Sequence, residues 1–296
     1  MRIGISLTTR YPASVGAREG GRWLIERTRA ARQAGLDSLF VGDHHSTGPA
    51  RYFQNVPTMA RLLAEWGDRT AGILALIPLW NPVLLAEQIG TLAAFAEGPF
   101  VLQCSLGDGA DQFDALGVSI RRRPSLFEHH LTAIQGLLAG EFVEGARIAP
   151  VPEEPVQYWV GAMADAGVRR AAALADGFLA TPGAPVEDLA ERAHFYRQAC
   201  REAGRAVGTI ATRRDIYVGE NAEEAQRTAA EVISRGYRGF SPDVLVIGSS
   251  EQVAAQFRDL REAGYSDVIV RHLALAQANV VASTERLADV RALLAG

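Results

Sequence analysis

Three consecutive residues that can carry or transfer protons, Asp43, His44 and His45, directly follow the apolar run 39–42. An imidazole with an ordinary pKa of about 6.5 donates or accepts protons at neutral pH, and a neighbouring carboxylate can fix its tautomer. The triplet therefore indicates acid–base chemistry by His44 and Asp43, although His45 has the alternative of capping a loop. A metal site is not favoured, because adjacent histidines on extended backbone point apart and no H-x-H or H-E-x-x-H motif accompanies them.

A second carboxylate, Asp108, stands between Gly107 and Gly109 after another apolar run. Glycines at such a position allow the backbone to approach a planar ligand, although a tight turn capped by Asp108 explains the same residues. Arg271 follows the last apolar run of the chain. Its guanidinium is suited either to an anionic group of a substrate or cofactor, or to a nearby carboxylate.

A run of small residues precedes the helical segment that begins near residue 164. Backbone N–H groups at a helix start can bind a phosphate, although every connection from a strand to a helix offers the same geometry. The residues that would form this phosphate cradle are Gly161, Ala162 and Met163.

Short apolar runs alternate with longer segments of helical periodicity along the chain. The predicted strands are 2–7, 38–42, 70–77, 100–106, 157–161, 177–180, 212–219 and 267–271. The predicted helices lie near 20–34, 55–66, 83–96, 124–139, 164–175, 185–203, 222–235, 250–263 and 279–294. Strands and helices that alternate in this way pair in parallel with right-handed crossovers.

Eight such strands predict a closed (β/α)8 TIM barrel formed by residues 1–296 as one domain. Segment 140–156 is expected to be a proline-rich crossing loop, and segment 236–248 an insertion at the C-terminal face of the barrel. An open doubly wound sheet is the alternative, but no G-x-G-x-x-G motif follows the first strand. In a barrel of this kind the active site lies at the C-terminal ends of the strands, where the polar residues above fall.

The composition argues against several other classes of protein. The 296 residues carry a net charge of −4 and contain no cluster of basic residues that would bind nucleic acid. No apolar run approaches the roughly 18 residues that cross a membrane, and the N-terminus lacks the pattern of a signal peptide. Cys104 and Cys200 are far apart and suit the reducing conditions of a cytoplasmic protein.

Four segments, in this order, resemble the luciferase-like flavin-dependent oxidoreductase superfamily, which includes the bacterial luciferase-like monooxygenases and the deazaflavin-dependent oxidoreductases. The resemblance extends over nearly the whole chain, and it depends on the ordered set rather than on one motif. The segments are GLDSLFVGDHH at 35–45, NPVLLA at 81–86, the stretch from GPFVL to LG at 98–117, and RRAAALADGF at 169–178.

This resemblance implies a luciferase-like barrel, usually a homodimer, that binds a flavin or deazaflavin ring at the strand ends. By position, His44 matches a histidine close to the ring, Asp43 its acidic neighbour, and Asp108 a catalytic carboxylate of some deazaflavin enzymes. It also implies a cis peptide near Ile73–Leu74, behind the ring. The implied cofactor contacts are Ile73, Leu74, Ala75, Gly107, Gly161, Ala162 and Met163.

Three departures from the family pattern bear on the cofactor. Leu106 stands where FMN monooxygenases often carry a phosphate-binding arginine, Ala164 replaces a hydroxyl residue, and Gly98-Pro99 replaces Gly-Arg. These differences favour either loosely bound reduced FMN, delivered by a partner flavin reductase, or deazaflavin (coenzyme F-420).

The leading prediction is a monooxygenase that uses reduced FMN and O₂ on a small organic substrate, with His44 handling the proton. The alternative is hydride transfer with deazaflavin, in which His44 or Asp108 donates or accepts the proton. A non-catalytic flavin-binding protein and a metal-assisted hydrolase that uses His44 and His45 are further alternatives. The expected substrate contacts are Arg10, Tyr11, Trp80 and Arg271.

Overall fold

The computed structural model of the chain describes residues 1–296 and contains eleven strands and ten α-helices. The strands are, in chain order, β1 (Arg2–Leu7), β2 (Arg10–Tyr11), β3 (Ser38–Val41), β4 (Arg51–Tyr52), β5 (Thr70–Leu76), β6 (Phe100–Ser105), β7 (Gln157–Gly161), β8 (Gly177–Ala180), β9 (Thr209–Val218), β10 (Val246–Gly248) and β11 (Asp267–His272). The helices are α1 (Ala17–Gln33), α2 (Asn55–Trp66), α3 (Pro82–Phe95), α4 (Ala110–Ala115), α5 (Arg123–Leu138), α6 (Asp165–Leu174), α7 (Val186–Glu202), α8 (Ala222–Ser234), α9 (Ser250–Glu262) and α10 (Gln277–Ala295). None of these helices combines the length with the apolar composition that crossing a bilayer requires.

Local sequence signals account for the starts of several helices. The side-chain oxygen of Asn81 accepts hydrogen bonds from the backbone N–H groups of Val83 and Leu84, at 3.0 and 3.1 Å, and so caps α3. A capping box formed by Ser249 and Gln252 begins α9. These side chains satisfy N–H groups that a helix cannot pair internally, and each helix therefore begins at a defined residue behind its strand.

Eight of the strands form a closed ring of parallel pairs. Around the ring the order is β1, β3, β5, β6, β7, β8, β9 and β11, and β11 pairs again with β1. Because β8 pairs with β9 and β11 with β1, the ring of eight has no free edge. The predicted (β/α)8 barrel is confirmed, and the open doubly wound sheet is excluded.

The apolar core has two main parts, separated by the alternation of side chains along each strand, and a third cluster of five buried residues that includes Ala225 and Ala229 of α8. The larger part, of 58 buried residues, lies between the barrel and the surrounding helices. The smaller part, the lumen cluster, lies inside the barrel and comes entirely from its strands. The lumen cluster consists of Phe40, Val101, Trp159, Leu179, Ala211 and Ile269.

Two glycines make room for the aromatic rings of the lumen cluster. A Cβ atom on Gly72 would overlap the backbone oxygen of Val101 and would lie 2.9 Å from the ring of Phe40. A Cβ atom on Gly177 would lie 2.7 Å from the ring of Trp159. Large rings therefore fill the narrow end of the lumen only because the neighbouring strands carry no side chain opposite them.

Four features of the fold differ from the sequence-based predictions. β9 begins at residue 209 rather than 212, and its last residues pair with β10, a strand not predicted, which lies in the segment predicted to be an insertion at the C-terminal face. A short antiparallel hairpin of β2 and β4 and the short helix α4 were not predicted. Pairs of two- or three-residue strands carry too little periodicity to be recognised in a single sequence.

The peptide bond between Ile73 and Leu74 is trans, so the prediction of a cis bond there is wrong. Both residues continue the regular parallel register of β5 with β6, in which Ile73 pairs with Leu102 and Leu74 with Gln103. A continuous ladder of this kind is built from trans peptides with extended dihedral angles.

Candidate functional site

The C-terminal end of the barrel lumen contains a mouth pocket of about 390 Å³, a volume in the range of small-molecule sites. This pocket begins where the lumen cluster ends, because Leu179 and Ile269 belong to both. The next inward-facing positions of the strands form much of its wall. They include Gly42, Leu74, Leu76, Gln103, Ser105, Gly161, Arg213 and Arg271.

His44 is half-buried in the wall of the mouth pocket. Its ring packs on the ring of Tyr52, with centroids 4.1 Å apart, and its backbone oxygen accepts a hydrogen bond from Gln54 Nε2 at 2.9 Å. Burial, and then the positive charge of Arg271, lowers the pKa of the His44 imidazole to about 4. The side chain is therefore neutral at pH 7, and one ring nitrogen can accept a hydrogen bond or a proton.

Asp43 is buried beside His44 but holds other groups. Its Oδ2 atom accepts hydrogen bonds from the backbone N–H of Leu76 at 2.9 Å and from Trp80 Nε1 at 2.7 Å. Its Oδ1 atom lies 3.0 Å from Nε2 of His45. The expectation that Asp43 orients His44 is therefore corrected, because the loop geometry brings the other imidazole to this carboxylate.

The two imidazoles of the triplet lie in different surroundings. His44 lines the mouth pocket, whereas the ring of His45 lies outside the lining, edge-on to Trp80 with the centroids 5.6 Å apart. Nowhere in the structure do three His, Cys, Asp or Glu side chains converge in a way that could hold a metal ion. The geometry gives His45 a positioning role with Asp43 and leaves His44 as the imidazole available to a ligand.

Gln112 joins the two loops that follow β3 and β6. Its Oε1 atom accepts a hydrogen bond from the backbone N–H of His45 at 3.0 Å, and its Nε2 atom donates to the backbone oxygen of Asp108 at 3.1 Å. Asp108 lies exposed at the rim of the mouth pocket. Gly107, with a φ of +72°, packs against Phe113 and is absent from the lining, so its predicted contact with the cofactor is corrected to a role in the turn.

The predicted phosphate cradle borders the mouth pocket, but part of its hydrogen-bonding capacity is already used. The backbone N–H of Ala162 donates to the oxygen of Leu179 at 3.1 Å. At the start of α6, Arg192 donates to the carboxylate of Asp165 at 2.5 Å, and Ala164 provides no side-chain cap. The cradle residues in the lining are Gly161, Ala162 and Met163.

Only one of the three cofactor contacts predicted on β5 lines the pocket. Leu74 faces inward to the pocket, whereas Ile73 and Ala75 face outward and pack in the core between the barrel and the helices. Neighbouring residues of a strand point to opposite faces, so a run of three cannot offer all its side chains to one ligand. The predicted contacts of Ile73 and Ala75 are corrected accordingly.

Of the four predicted substrate contacts, only Arg271 lies in the pocket lining. Arg10 and Tyr11 form β2 of the hairpin, and Tyr11 stacks on Phe53 with ring centroids 4.7 Å apart. Trp80 faces Asp43, as described above. Arg10, Tyr11 and Trp80 therefore lie outside the lining, because the chain leaves the pocket after Thr9 and Trp80 contacts Asp43 in the loop.

Two arginines of the lining were not identified from the sequence. Arg213 lies one residue beyond Thr212, the last residue of β9 that pairs with β8, and therefore at the open end of the barrel. The sequence signal for Arg213 is the period of two along β9, which places its side chain on the same inward face as that of Ala211. Arg238 lies between α8 and β10 in the left-handed region, with a φ of +53°, and no periodic pattern marks it.

Besides Asp43 Oδ1, which faces His45 Nε2, four buried polar atoms of the pocket lining have no hydrogen-bond partner within the protein. An unsatisfied buried polar group costs about 1–3 kcal/mol of folding free energy, so such groups call for an explanation such as a bound ligand. A flavin or deazaflavin ring, which carries several hydrogen-bonding atoms along one edge, fits the part of this wall where Gln103 Nε2 lies beside the apolar Leu74 and Leu76. The four atoms are Thr9 Oγ1, Gln103 Nε2, Arg213 Nε and Arg271 Nε.

Known proteins that resemble this chain include flavin- and deazaflavin-dependent enzymes. An F420-dependent glucose-6-phosphate dehydrogenase from Intrasporangium calvum is 30% identical over 190 residues, which are 55% of each chain. The dehydrogenase of the same name from Kribbella flavida is 24% identical over 318 residues, which cover 90% of this chain and 92% of that one. The chain spans about half the length of the first of these and of several other curated relatives that it matches.

The fold is also that of solved structures in this group. The monooxygenase RslO1 from Streptomyces bottropensis has a TM-score of 0.83 and 20% identity, with 98% of each chain covered. The family model for luciferase-like monooxygenases matches residues 1–243, which is most of the chain. The chain therefore belongs to the luciferase-like monooxygenase family.

Proposed function

We propose that the protein catalyses hydride transfer between deazaflavin (coenzyme F-420) and a small organic substrate in the mouth pocket. The observation that carries this proposal is the neutral His44 imidazole, whose ring faces the pocket and whose pKa of about 4 leaves it a proton acceptor at pH 7. A group with this protonation state suits the oxidation of an alcohol, in which the hydroxyl proton must be removed.

The choice of deazaflavin is supported by the cradle and by the relatives. None of the three arginines in the pocket lining comes from β6 or β7, the strands beside the cradle, and Leu106 supplies no cation there. The terminal phosphate of FMN, which carries close to two charges, has few free partners in such a cradle. Several curated relatives are named for dependence on F420.

In the proposed reaction the residues of the chain have separate roles. Deazaflavin, when bound, supplies a hydride acceptor or donor. His44 holds the proton of the substrate oxygen at one ring nitrogen and exchanges it with solvent. Asp43, through Trp80 and His45, holds the loop that carries His44. The lumen cluster closes the inner end of the pocket and excludes water from that side.

Monooxygenation with reduced FMN and O₂ is the second candidate, because a cradle in which the Ala162 N–H is already bonded suits a reduced FMN that binds loosely and is delivered by a flavin reductase. The reductase partner and a homodimeric assembly are predictions that accompany the family resemblance. Analytical ultracentrifugation of the protein with and without a flavin reductase tests both.

A binding titration distinguishes the two candidates. Oxidised and reduced F-420 and FMN are titrated separately into the protein, and binding is followed by the change in cofactor fluorescence. We expect F-420 to bind more tightly than FMN in both redox states. Tighter binding of FMN, together with O₂ consumption that depends on reduced FMN and an added substrate, would replace the first candidate by the second. If both cofactors bind but no substrate panel gives turnover, the protein is a flavin-binding protein without this activity.

A further inference from the structure

Three arginines from different parts of the chain meet at one side of the mouth pocket and form an arginine cluster: Arg213, Arg238 and Arg271. Arg213 and Arg271 project from the neighbouring strands β9 and β11, in which Arg213 is in register with Ile269 and Arg271 with Asp215. Arg238 reaches the same place from the segment between α8 and β10. The cluster is therefore built from two rigid strands and one loop.

The cluster contains more positive than negative charge. Asp215, buried to 1% exposure, lies 2.8 Å from Nη1 of Arg238 and 3.5 Å from Nε of Arg213. Arg271 has no carboxylate within ion-pair distance and donates only to Thr8 Oγ1, at 3.3 Å. Arg213 and Arg238 therefore share one carboxylate, Arg271 has none, and the cluster keeps an excess of two positive charges.

The two carboxylates of the pocket lining, Asp43 and Asp108, do not neutralise this excess. The carboxylate of Asp43 is held by Leu76 and Trp80, and Asp108 lies exposed on the rim. Neither forms an ion pair with an arginine of the cluster. Burial, and then the charge of Arg271, lowers the pKa of Arg213 to about 10, a value at which the guanidinium is still protonated at pH 7.

A purely structural role accounts for only part of this arrangement. The ion pair between Asp215 and Arg238 ties the loop to β9. The Nε atoms of Arg213 and Arg271, however, are buried without a hydrogen-bond partner. Partly buried like charges with unpaired donors destabilise the free protein, and such groups are concentrated at binding sites, where a ligand of opposite charge compensates them.

The position of the cluster separates it from the predicted cofactor contacts. Around the ring of eight strands, Leu74, Gln103 and the cradle lie on the third, fourth and fifth strands, whereas Arg213 and Arg271 lie on the seventh and eighth. His44 follows the second strand. An anion bound by the cluster therefore lies across the lumen from the ring-side residues, with the imidazole within the same pocket.

We infer that the arginine cluster is a substrate subsite that binds an oxyanion, either a phosphate monoester or a carboxylate, carried by the molecule that is oxidised or reduced. Planar guanidinium groups form paired hydrogen bonds with both kinds of oxyanion. This inference rests on the proposed function for the identity of the reaction, but the anion site itself is independent of the cofactor.

The inference is tested by isothermal titration calorimetry with inorganic phosphate and with acetate at constant ionic strength. The proteins compared are the wild type, Arg271→Gln, Arg213→Gln and the control Arg29→Gln, which removes an exposed arginine paired with Glu65 on the surface. We expect one of the two anions to bind the wild type and the control equally. We expect the two cluster variants to bind that anion at least about tenfold more weakly than the wild type, because each variant loses a charged hydrogen bond.

The preference between phosphate and acetate identifies the class of oxyanion. Thermal unfolding of each variant shows whether it is folded, and Arg271→Lys, which retains the charge, is expected to recover part of the binding if the first variant is unstable. Equal anion binding in all variants, or no binding of either anion to the folded wild type at millimolar concentrations, would overturn the inference.

Titration of F-420 and FMN into the same proteins separates this inference from the proposed function. We expect cofactor affinity to be the same in the wild type and in Arg271→Gln. If neither cofactor binds the wild type but phosphate or acetate does, the proposed function fails and the anion subsite stands. If phosphate competes with the cofactor and Arg271→Gln loses cofactor binding, the cluster holds the phosphate of the cofactor and the substrate assignment is wrong.

Discussion

The two ends of the barrel lumen are built by the same strands and differ in almost every property. On β9, Ala211 belongs to the lumen cluster and the next inward-facing residue, Arg213, lines the mouth pocket. On β11, Ile269 and Arg271 repeat this order. The change from a dry apolar interior to a charged pocket therefore takes place over one step of inward-facing residues, about 6.6 Å along a strand.

This comparison shows how the barrel separates stability from chemistry. The inner end has closely packed rings and glycines that leave them space, and it gains free energy from burial. The outer end contains unpaired polar atoms and an excess of positive charge, both of which cost folding free energy. Substitutions at the inner end should therefore change the stability of the protein, and substitutions at the outer end should change its activity.

The largest expected effect is on stability at the inner end. Phe40→Ala removes a ring with no solvent exposure and leaves a cavity in the lumen cluster, so we expect the free energy of unfolding to fall by about 3–5 kcal/mol. Denaturant unfolding measures the change. The control is Phe95→Ala, which removes a ring that is 67% exposed and should have a much smaller effect. Equal effects of the two substitutions would contradict the separation.

The next effect is on activity at the outer end. His44→Ala removes the group proposed to hold the substrate proton, so we expect kcat to fall about 100-fold or more. The free energy of unfolding should change little, because the ring is only half-buried and makes no hydrogen bond within the protein. Steady-state kinetics and denaturant unfolding are measured together, with His129→Ala on the surface as the control. Full activity in His44→Ala would remove this residue from the reaction.

A smaller effect is expected from adding one methyl group at the inner end. Gly72→Ala places a Cβ atom against the Val101 backbone and the Phe40 ring, so we expect a loss of about 1–3 kcal/mol of unfolding free energy. Gly21→Ala, in α1 with no atom near the added Cβ, is the matched control. It should stabilise the protein by about 0.5–1 kcal/mol. A loss of stability in both variants would point to glycine flexibility rather than to packing.

The smallest effect is on the titration of His44. Burial is the main cause that lowers the pKa of His44 to about 4; the charges of Arg271, Arg213 and Arg238 lower it further, and Asp43 raises it. Replacing Arg271 by glutamine removes one positive charge, so we expect the pKa of His44 to rise in this variant. Two-dimensional NMR of the imidazole groups measures it. A pKa that stays the same or falls would show that Arg271 does not face this ring.

The same pKa has a consequence for acid stability. Because the folded pKa of His44 lies below its ordinary value of 6.5, the unfolded chain binds this proton more readily than the folded one. The neutral His44 side chain makes its full contribution to the free energy of unfolding above about pH 6.5. This free energy decreases as the pH falls toward 4. This loss should be smaller in Arg271→Gln than in the wild type, as unfolding at a series of pH values will show.

The fold could be predicted largely from the sequence, because each of the eight apolar runs indicates a strand and each amphipathic segment between them indicates a helix. All eight predicted barrel strands are present, with ends that differ by at most three residues. The position of the Asp43–His44 pair at a strand end was predictable for the same reason. Which imidazole Asp43 contacts was not, since it depends on how the loop brings Trp80 and His45 to that carboxylate.

The arginine cluster illustrates what a single sequence leaves open. A strand predicted to start at residue 212 places Arg213 near its closed end, whereas the true start at Thr209 and the short partner β8 place it at the open end. Arg238 comes from a segment without regular spacing. Both positions are set by the lengths of neighbouring strands and by loop conformation, and these are properties of the assembled barrel rather than of the local sequence.

The alternation of inward- and outward-facing residues also bears on how such a protein changes over generations. Residues that line the mouth pocket occupy separate positions from those that form the lumen cluster, even though they belong to the same strands. We therefore expect exchanges at Ser105, Arg213 or Arg271 to alter what the mouth pocket binds while the folding of the protein is preserved. A lineage built on this architecture can acquire new substrates one residue at a time, and a protein engineer can follow the same route.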